Sequence, residues 1–464
     1  MGSTDTTRVR DAATTAAELS GRAARLCRRA LDAGADQAEV YAVRSQKIGV
    51  TFEKGDLKLS QVDDGSTLGV RVFKGGKLGF ASTNQASDEA LAGVARDALA
   101  LCALNPPDDA NRLPATRAAA PALDLIDPAI QALGIEEVVD YGQRFLDRAA
   151  QHDARLAIDK ASVELHFTTH SLVNSEGVEL SESDAALGTS IFGMAIDGDD
   201  VGGFHYTGDN IRRASRIEAS LASAADEFAE VCLGNLNTGV GESYNGPVLF
   251  APDAVLDLFV APVVSAASAI AVQRGRSALK GKLGESIAHE SFQLLDDPTD
   301  LALTGAASFD REGQPIGAFP IVENGVLASY LYNAYAAAVE GRESTGHAVG
   351  GARGLPGLGP HALSMAPGQG GDRDALLRSM GRGLYVMRFS GSIDPASGDF
   401  SGVAKSARWV EGGQVVRSVR EILISGNAFE LLRRFVALSS TAPTLHGAAR
   451  APWALVDGVS VTAG

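Results

Sequence analysis

The chain has 464 residues, 45% hydrophobic and 21% charged, with a formal net charge of −16 and a pI near 5.0. That length exceeds one ordinary core, and the composition excludes global disorder. The acidic balance argues against general affinity for nucleic-acid backbones, and three widely spaced cysteines (Cys27, Cys102, Cys232) with no CxxC pair argue against a disulfide framework or zinc knuckle and fit a reducing compartment.

Residues 11–33 have apolar positions at helical spacing, with Gly34 where a helix ends. The arginines of 22–29 read as the solvated face of that helix. The N-terminus lacks an apolar signal region, so the expectation is a cytoplasmic chain. From Ala38 the period changes to two, and "EKGD", "DDGS" and "KGGK" predict the turns of an antiparallel meander. Ser87 then caps a helix that runs to about Leu104, with Asp88 and Glu89 in its first turn.

Four prolines in 105–124 predict a linker. A helix over Ile135 to His152, strands around a turn at "NSEG" (174–177) and a helix over 212–233 follow. This order resembles the first module, which suggests an internal duplication. The strand "PVLFA" opens a third module, followed by a long helix from Asp253 that Pro262 is expected to kink. The stretch 256–272 is the most apolar, but it is shorter than a membrane span and holds Asp257 and Pro262. Strands and turns dominate the rest, with short helices near 333–340, 373–380 and 427–437, the last capped by Asn427. Helices and hairpins segregate, so the expected class is α+β, multi-domain, with antiparallel sheets and flanking helices. The expected parts are an N-terminal α+β domain (1–104), a Pro-rich linker (105–125), a central α+β domain (126–235) and a β-rich C-terminal α+β domain (236–464).

Groups for chemistry are sparse. The one His-Glu pair, His289-Glu290, has Gln293 and Leu294 where the second His of HExxH or HExxxH would stand. His166 and His170 share a strand face about 13 Å apart, too far to bind one metal. Ser344 and His347 in "STGH" could form a dyad, but no strained nucleophile elbow is signalled; a structural or ligand-contacting loop is the plainer reading. Asp394 and Asp399 lie beside Pro and Gly and read as Asx-turns, and Asp310, Arg311 and Glu312 in "FDREGQP" read as a turn tip. No phosphate-binding glycine loop is present.

Several stretches together are specific: "GADQAEVYAV", "GSTLGVRVFKGGKLGFAST", "NSEG", "GRSALKGKLGE", "FDREGQPIGAFPIVENGVLASYLYNAYAA", "RESTGHAVGG", "SGDFSGVAKSARWVEGGQ" and "ILISGN". In this order, over about residues 35–430, they resemble the TldD/PmbA family. The resemblance implies a cytoplasmic peptidase made of two related chains, TldD-like and TldE-like (PmbA), that cleaves unfolded peptides and peptide precursors. Family members have also been labelled modulators of DNA gyrase. The TldD-like chain carries zinc through HExxxH on a helix and a late Cys. Here the corresponding helix reads "LDLFVAPVVSAASAIAVQ", without His or Glu, and no cysteine follows Cys232. The resemblance therefore implies the TldE/PmbA side: no metal and no catalytic residue in this chain, zinc in a TldD-like HExxxH partner, and a heterodimer or self-dimer.

Family substrates are extended segments, which backbone pairing recognises with little sequence preference. The expected substrate-contacting residues are Ser344, Thr345, Gly346 and His347 together with Gly398, Asp399, Phe400 and Ser401, whose glycines let a guest backbone approach closely. The alternative is that these glycines only serve tight turns. Two further readings compete: a self-sufficient, metal-independent hydrolase using Ser344-His347, whose activity would survive chelators, and a peptide-binding module without turnover. No direct contact with nucleic acid or membrane is expected.

Overall fold

The computed structural model describes residues 11–114 and 120–464; residues 1–10 and the 115–119 part of the expected linker lie outside the described residues. Helix α1 (Ala12–Asp32) starts where Asp11 accepts the Thr14 N–H and ends before Gly34, whose φ of +103° only glycine adopts freely. Leu19, Ala23, Leu26, Cys27 and Ala30 make its buried stripe. Strands β1 (Gln37–Glu53), β2 (Asp56–Lys74) and β3 (Lys77–Thr83) follow, then α2 (Asp88–Leu104), capped by Ser87. The expected turn at Asp63–Ser66 is not formed. There β2 runs straight through, with Asp63, Asp64 and Gly65 opposite Lys47, Gln46 and Ser45 of β1. A two-pronged contact from Arg44 to Asp64, at 2.9 and 2.8 Å, overrides the local turn chemistry.

The short helix α3 (Pro128–Gln131) leads into α4 (Ile135–Gln151), β4 (Leu156–Asn174), β5 (Glu179–Asp197), β6 (Asp200–Val201), β7 (His205–Ile211) and α5 (Ile217–Gly234). Strand β4 pairs antiparallel with β1 from Glu39↔Asn174 to Glu53↔Lys160. The two modules thus share one sheet, ordered β3-β2-β1-β4-β5-β7. Both modules run helix, antiparallel strands, helix, and they meet at β1–β4. One sheet face is apolar: Val40, Val70 and Val72 pack on α1 and α2, and Val50, Val163 and Leu165 on α4 and α5. The opposite face carries Glu39, Tyr41, Arg71, His170 and Glu182.

Residues from Gly239 onward build a separate β-rich core. Its largest sheet, among the described residues, has Arg388–Ile393 at one edge, then Asp399–Lys405, Ile422–Asn427, Ala454–Ala463 and Tyr244–Phe250. The helix expected to kink at Pro262 is a π-turn at Leu256–Val260 between α-helical Pro252–Val255 and Ala261–Ala266. Pro262 has no N–H to continue the ladder, and the Ala261 N–H reaches five residues back to Leu256. The segment is apolar because it is buried among Phe250, Phe292 and Phe435. No helix among the described residues is long and apolar enough to cross a membrane.

Candidate functional site

Residues 304–314 cross the polar face of the N-terminal sheet, strand by strand. Arg212, just after β7, donates to the carbonyls of Thr304 at 2.6 Å and Ala306 at 3.4 Å. Glu182 of β5 accepts from the Ser308 N–H at 3.0 Å and from its hydroxyl. Phe309 sits edge-on to His170 of β4, with ring centres 5.5 Å apart. Arg311 lies 3.9 Å over the Tyr41 ring of β1 and donates to Glu39 at 3.1 Å. Glu312 accepts from Arg71 of β2 at 2.8 Å, and Arg71 also donates to Glu39 at 2.8 Å. Asp310, Arg311 and Glu312 do form a turn, with Gly313 at φ +79° and Asp310 Oδ1 accepting from the N–H groups of Glu312 and Gln314. It is not the exposed tip expected from sequence: all three residues are at most 4% exposed. The sheet supplies countercharges for Arg311 and Glu312, and backbone N–H groups alone hold Asp310; local sequence reveals neither sheet partner. Burial, then the nearby Glu312 carboxylate, pushes Asp310 up to about 7.

The loop beyond this crossing carries the first set of expected contact residues. Ser344 and His347 do not form a dyad: the Ser344 hydroxyl donates to the Tyr332 carbonyl at 3.1 Å and accepts from the Gly346 N–H at 3.2 Å. His347 Nδ1 instead meets Thr345 Oγ1 at 2.8 Å, and its Nε2 lies 3.3 Å from Asp296 Oδ2, outside good hydrogen-bond geometry. Hydroxyl, imidazole and carboxylate thus line up in the order a nucleophilic triad uses. The Thr345 hydroxyl, however, accepts from the Tyr332 N–H at 2.8 Å, and His347 is only 2% exposed beneath Phe319. Asp296 also accepts from the N–H groups of His361 and Ala362, and His361 Nε2 reaches the Gly346 carbonyl at 2.8 Å. Burial works to raise Asp296, but the contact with His347 and these N–H groups outweighs it and hold the carboxyl low. The cluster pins the loop.

The second set lies at a hairpin. Asp394 Oδ1 accepts from the N–H groups of Ala396 and Ser397, the expected Asx-turn. Gly398 has φ +85°, and a Cβ there would come within 2.4 Å of Phe429. Strand Asp399–Lys405 is bonded on one side to Arg388–Ile393 and on the other to Ile422–Asn427, so its own strands occupy both backbone edges. Phe400 is buried, whereas Asp399 and Ser401 present side chains to solvent. Asn427, the expected cap, also donates to Asp399 at 2.8 Å.

The helical segment that the sequence resemblance sets against a zinc-bearing helix opens at Pro252. It offers Asp253 and Asp257, with no His or Cys. Asp253 Oδ1 lies 3.0 Å from His446 Nε2, and His446 Nδ1 faces the Gly208 carbonyl at 3.1 Å. The Asp253 carboxylate holds the His446 imidazole up to about 9. The pair borders a cavity of about 690 Å³ between α5 and residues 443–447. Among the described residues, no three His, Cys, Asp or Glu side chains are grouped to hold a metal ion. His166 and His170 lie on strand β4, as expected, and turn to Glu164 at 3.2 Å and Glu182 at 3.6 Å. Sequence reasoning missed His446, Asp296 and the Glu39–Arg71–Glu312 chain, because their partners are brought together only by the fold.

This is the architecture of a peptidase family. The model "PmbA/TldA metallopeptidase C-terminal domain" matches residues 243–463, and "PmbA/TldA metallopeptidase domain 1" matches residues 38–102. Together they account for more than half of the chain, which belongs to the PmbA/TldD metallopeptidase family. The metalloprotease PmbA homolog of Haemophilus influenzae is 28% identical over 420 residues, 88% of each chain. Metalloprotease PmbA of Escherichia coli O157:H7 is 27% identical over 415 residues, again 88% of each. The crystal structure of TldE from Thermococcus kodakarensis superposes with a TM-score of 0.84 at 22% identity, over 95% of this chain and 100% of that one, a likeness of fold.

Proposed function

We propose that this chain is the metal-free, TldE/PmbA-type subunit of a two-chain metallopeptidase that cleaves extended peptides, with zinc held by a TldD-like HExxxH partner. The observation that carries this reading is the Asp253–His446 contact. In a metallopeptidase family, the helix that would carry the zinc motif here spends its first acid on an ion pair and has no imidazole or thiolate to offer. Substrate contact from this chain falls to the exposed Asp399 and Ser401 side chains and to strand Arg388–Ile393 beside them, an edge of its sheet among the described residues.

The test is zinc content and peptide hydrolysis of this chain alone and mixed with an HExxxH-bearing homologue from the same host. Zinc and chelator-sensitive cleavage confined to the mixture are expected. Cleavage by the isolated chain that survives chelators and is lost in Thr345→Ala would overturn the proposal in favour of a self-sufficient hydrolase. Peptide binding with no turnover in the mixture would leave only a binding module.

A further inference from the structure

Five large apolar side chains that face solvent surround one groove of about 900 Å³ between the two cores. Leu101, Leu104, Tyr335, Val339 and Leu355 are each at least 40% exposed, and Leu104 reaches 81%. Leu101 and Leu104 are three apart at the end of α2; Tyr335 and Val339 are four apart on the helix Ala334–Val339. Both spacings put a pair on one helix face. Two helices, one from each core, therefore turn apolar pairs to the same space. Apolar surface gathered in this way marks a binding site. The Tyr335 hydroxyl donates to Asp108 Oδ2 at 2.8 Å and ties the C-terminal wall to the stretch after α2, so the groove is formed before anything enters it.

Charge selects the occupant. The two acids that line the groove are already engaged: Asp108 Oδ1 accepts from the Ala110 N–H at 2.9 Å, and Glu312 accepts from Arg71 at 2.8 Å and from the Ala334 N–H at 2.7 Å. Arg112 and Arg274 also line it; both are exposed, and neither pairs with a carboxylate among the described residues. On a chain of net charge −16, this is a place that draws an acid. We propose that the groove binds a segment of unfolded peptide in which leucine-type side chains alternate with carboxylates. The apolar side chains fill the space between α2 and Ala334–Val339, and the carboxylates meet Arg112 and Arg274. Apolar burial supplies the affinity, and the two guanidiniums supply the preference. The inference rests on the peptidase reading for the source of the peptide. It adds a second place of contact, since neither Asp399 nor Ser401 lines this groove.

The test is fluorescence anisotropy on the full chain alone, with labelled Gly-Leu-Glu-Leu-Leu-Glu-Gly and its counterpart carrying Lys in place of both Glu. The net charge of the chain favours the lysine peptide, so tighter binding of the glutamate peptide reports the groove. That order is expected for the wild type. Leu104→Ser with Val339→Ser, both at exposed positions, is expected to weaken binding about tenfold. Arg274→Glu is expected to abolish the preference for glutamate. Equal binding of the two peptides by the wild type, or affinities unchanged in both variants, would overturn the proposal. Self-association that Leu104→Ser abolishes, with no peptide bound, would put a second copy in the groove and overturn it too. Cleavage by the mixture with the HExxxH-bearing homologue is read separately. A mixture that cleaves while the isolated chain ignores these changes loses the groove and keeps the peptidase reading; binding that follows them without cleavage keeps the groove and loses that reading.

Discussion

Arg71 and Glu312 are 241 residues apart in the chain and 2.8 Å apart in the fold, both buried. With Glu39 and Arg311 they form an alternating row of charges between the N-terminal sheet and the C-terminal core. Removing one member strands its partner. Arg71→Met is expected to cost about 3–5 kcal/mol in urea unfolding, and Arg71→Met with Glu312→Leu less than the single change. Additive losses would mean that the two side chains do not act as a pair.

Two groups tilt the pH profile of stability in the same direction. Asp310 has its folded pKa raised from 3.8 to about 7, so the folded state binds more protons than the unfolded one between these values. Stability should therefore fall as pH rises from about 4 to 7, and Asp310→Asn should flatten that limb. His446 is raised from 6.5 to about 9; its contribution is complete below 6.5 and lost as pH rises through 9. In His446→Gln the decline from 6.5 to 9 should disappear. Thermal unfolding across pH reads both effects.

Gly69 marks a close approach of the two cores, since a Cβ there would lie 2.1 Å from the Ala352 carbonyl oxygen. Both contacting parts are backbone, so neither yields easily, and Gly69→Ala is expected to destabilise by about 1–3 kcal/mol. Gly93 in α2 has nothing within 4 Å of its Cβ position, and Gly93→Ala should stabilise by about 0.5–1 kcal/mol through helix propensity. Opposite signs in denaturant melts check the pair; equal signs would contradict the close approach.

The Thr345–His347–Asp296 arrangement is read as a tie that holds the loop. Thr345→Ser keeps the hydroxyl and should leave stability within about 0.5 kcal/mol of wild type, whereas Thr345→Ala should lose about 1–3 kcal/mol. Peptide turnover by the reconstituted pair, measured below the melting point, should change less than twofold in either variant. A selective loss of kcat in Thr345→Ala at unchanged stability would make the hydroxyl a reacting group.

Much was legible in the sequence for local reasons. The caps at Ser87 and Asn427, the ending at Gly34 and the Asx-turn at Asp394 depend on residues within three or four positions of each other. The α+β class and the family also followed from patterns carried along the chain. What stayed hidden depends on distant partners. Asp63–Ser66 has turn composition, but Arg44 and the β1 ladder keep it extended. The sequence "FDREGQP" has the composition of an exposed turn, yet Arg71, Glu39 and Tyr41 make its burial possible. Gly398 reads as an open turn glycine, but a Cβ there would meet the Phe429 ring and the Asn427 side chain. Sequence alone determined the caps and most of the helices, because hydrogen bonds over a few residues set them; the expected helix near 427–437 stops at Arg434, where strand Phe435–Leu438 pairs with Ala454–Val456. Only the tertiary structure decided that two modules share one sheet, and which charges are buried, because those choices depend on countercharges supplied from hundreds of residues away.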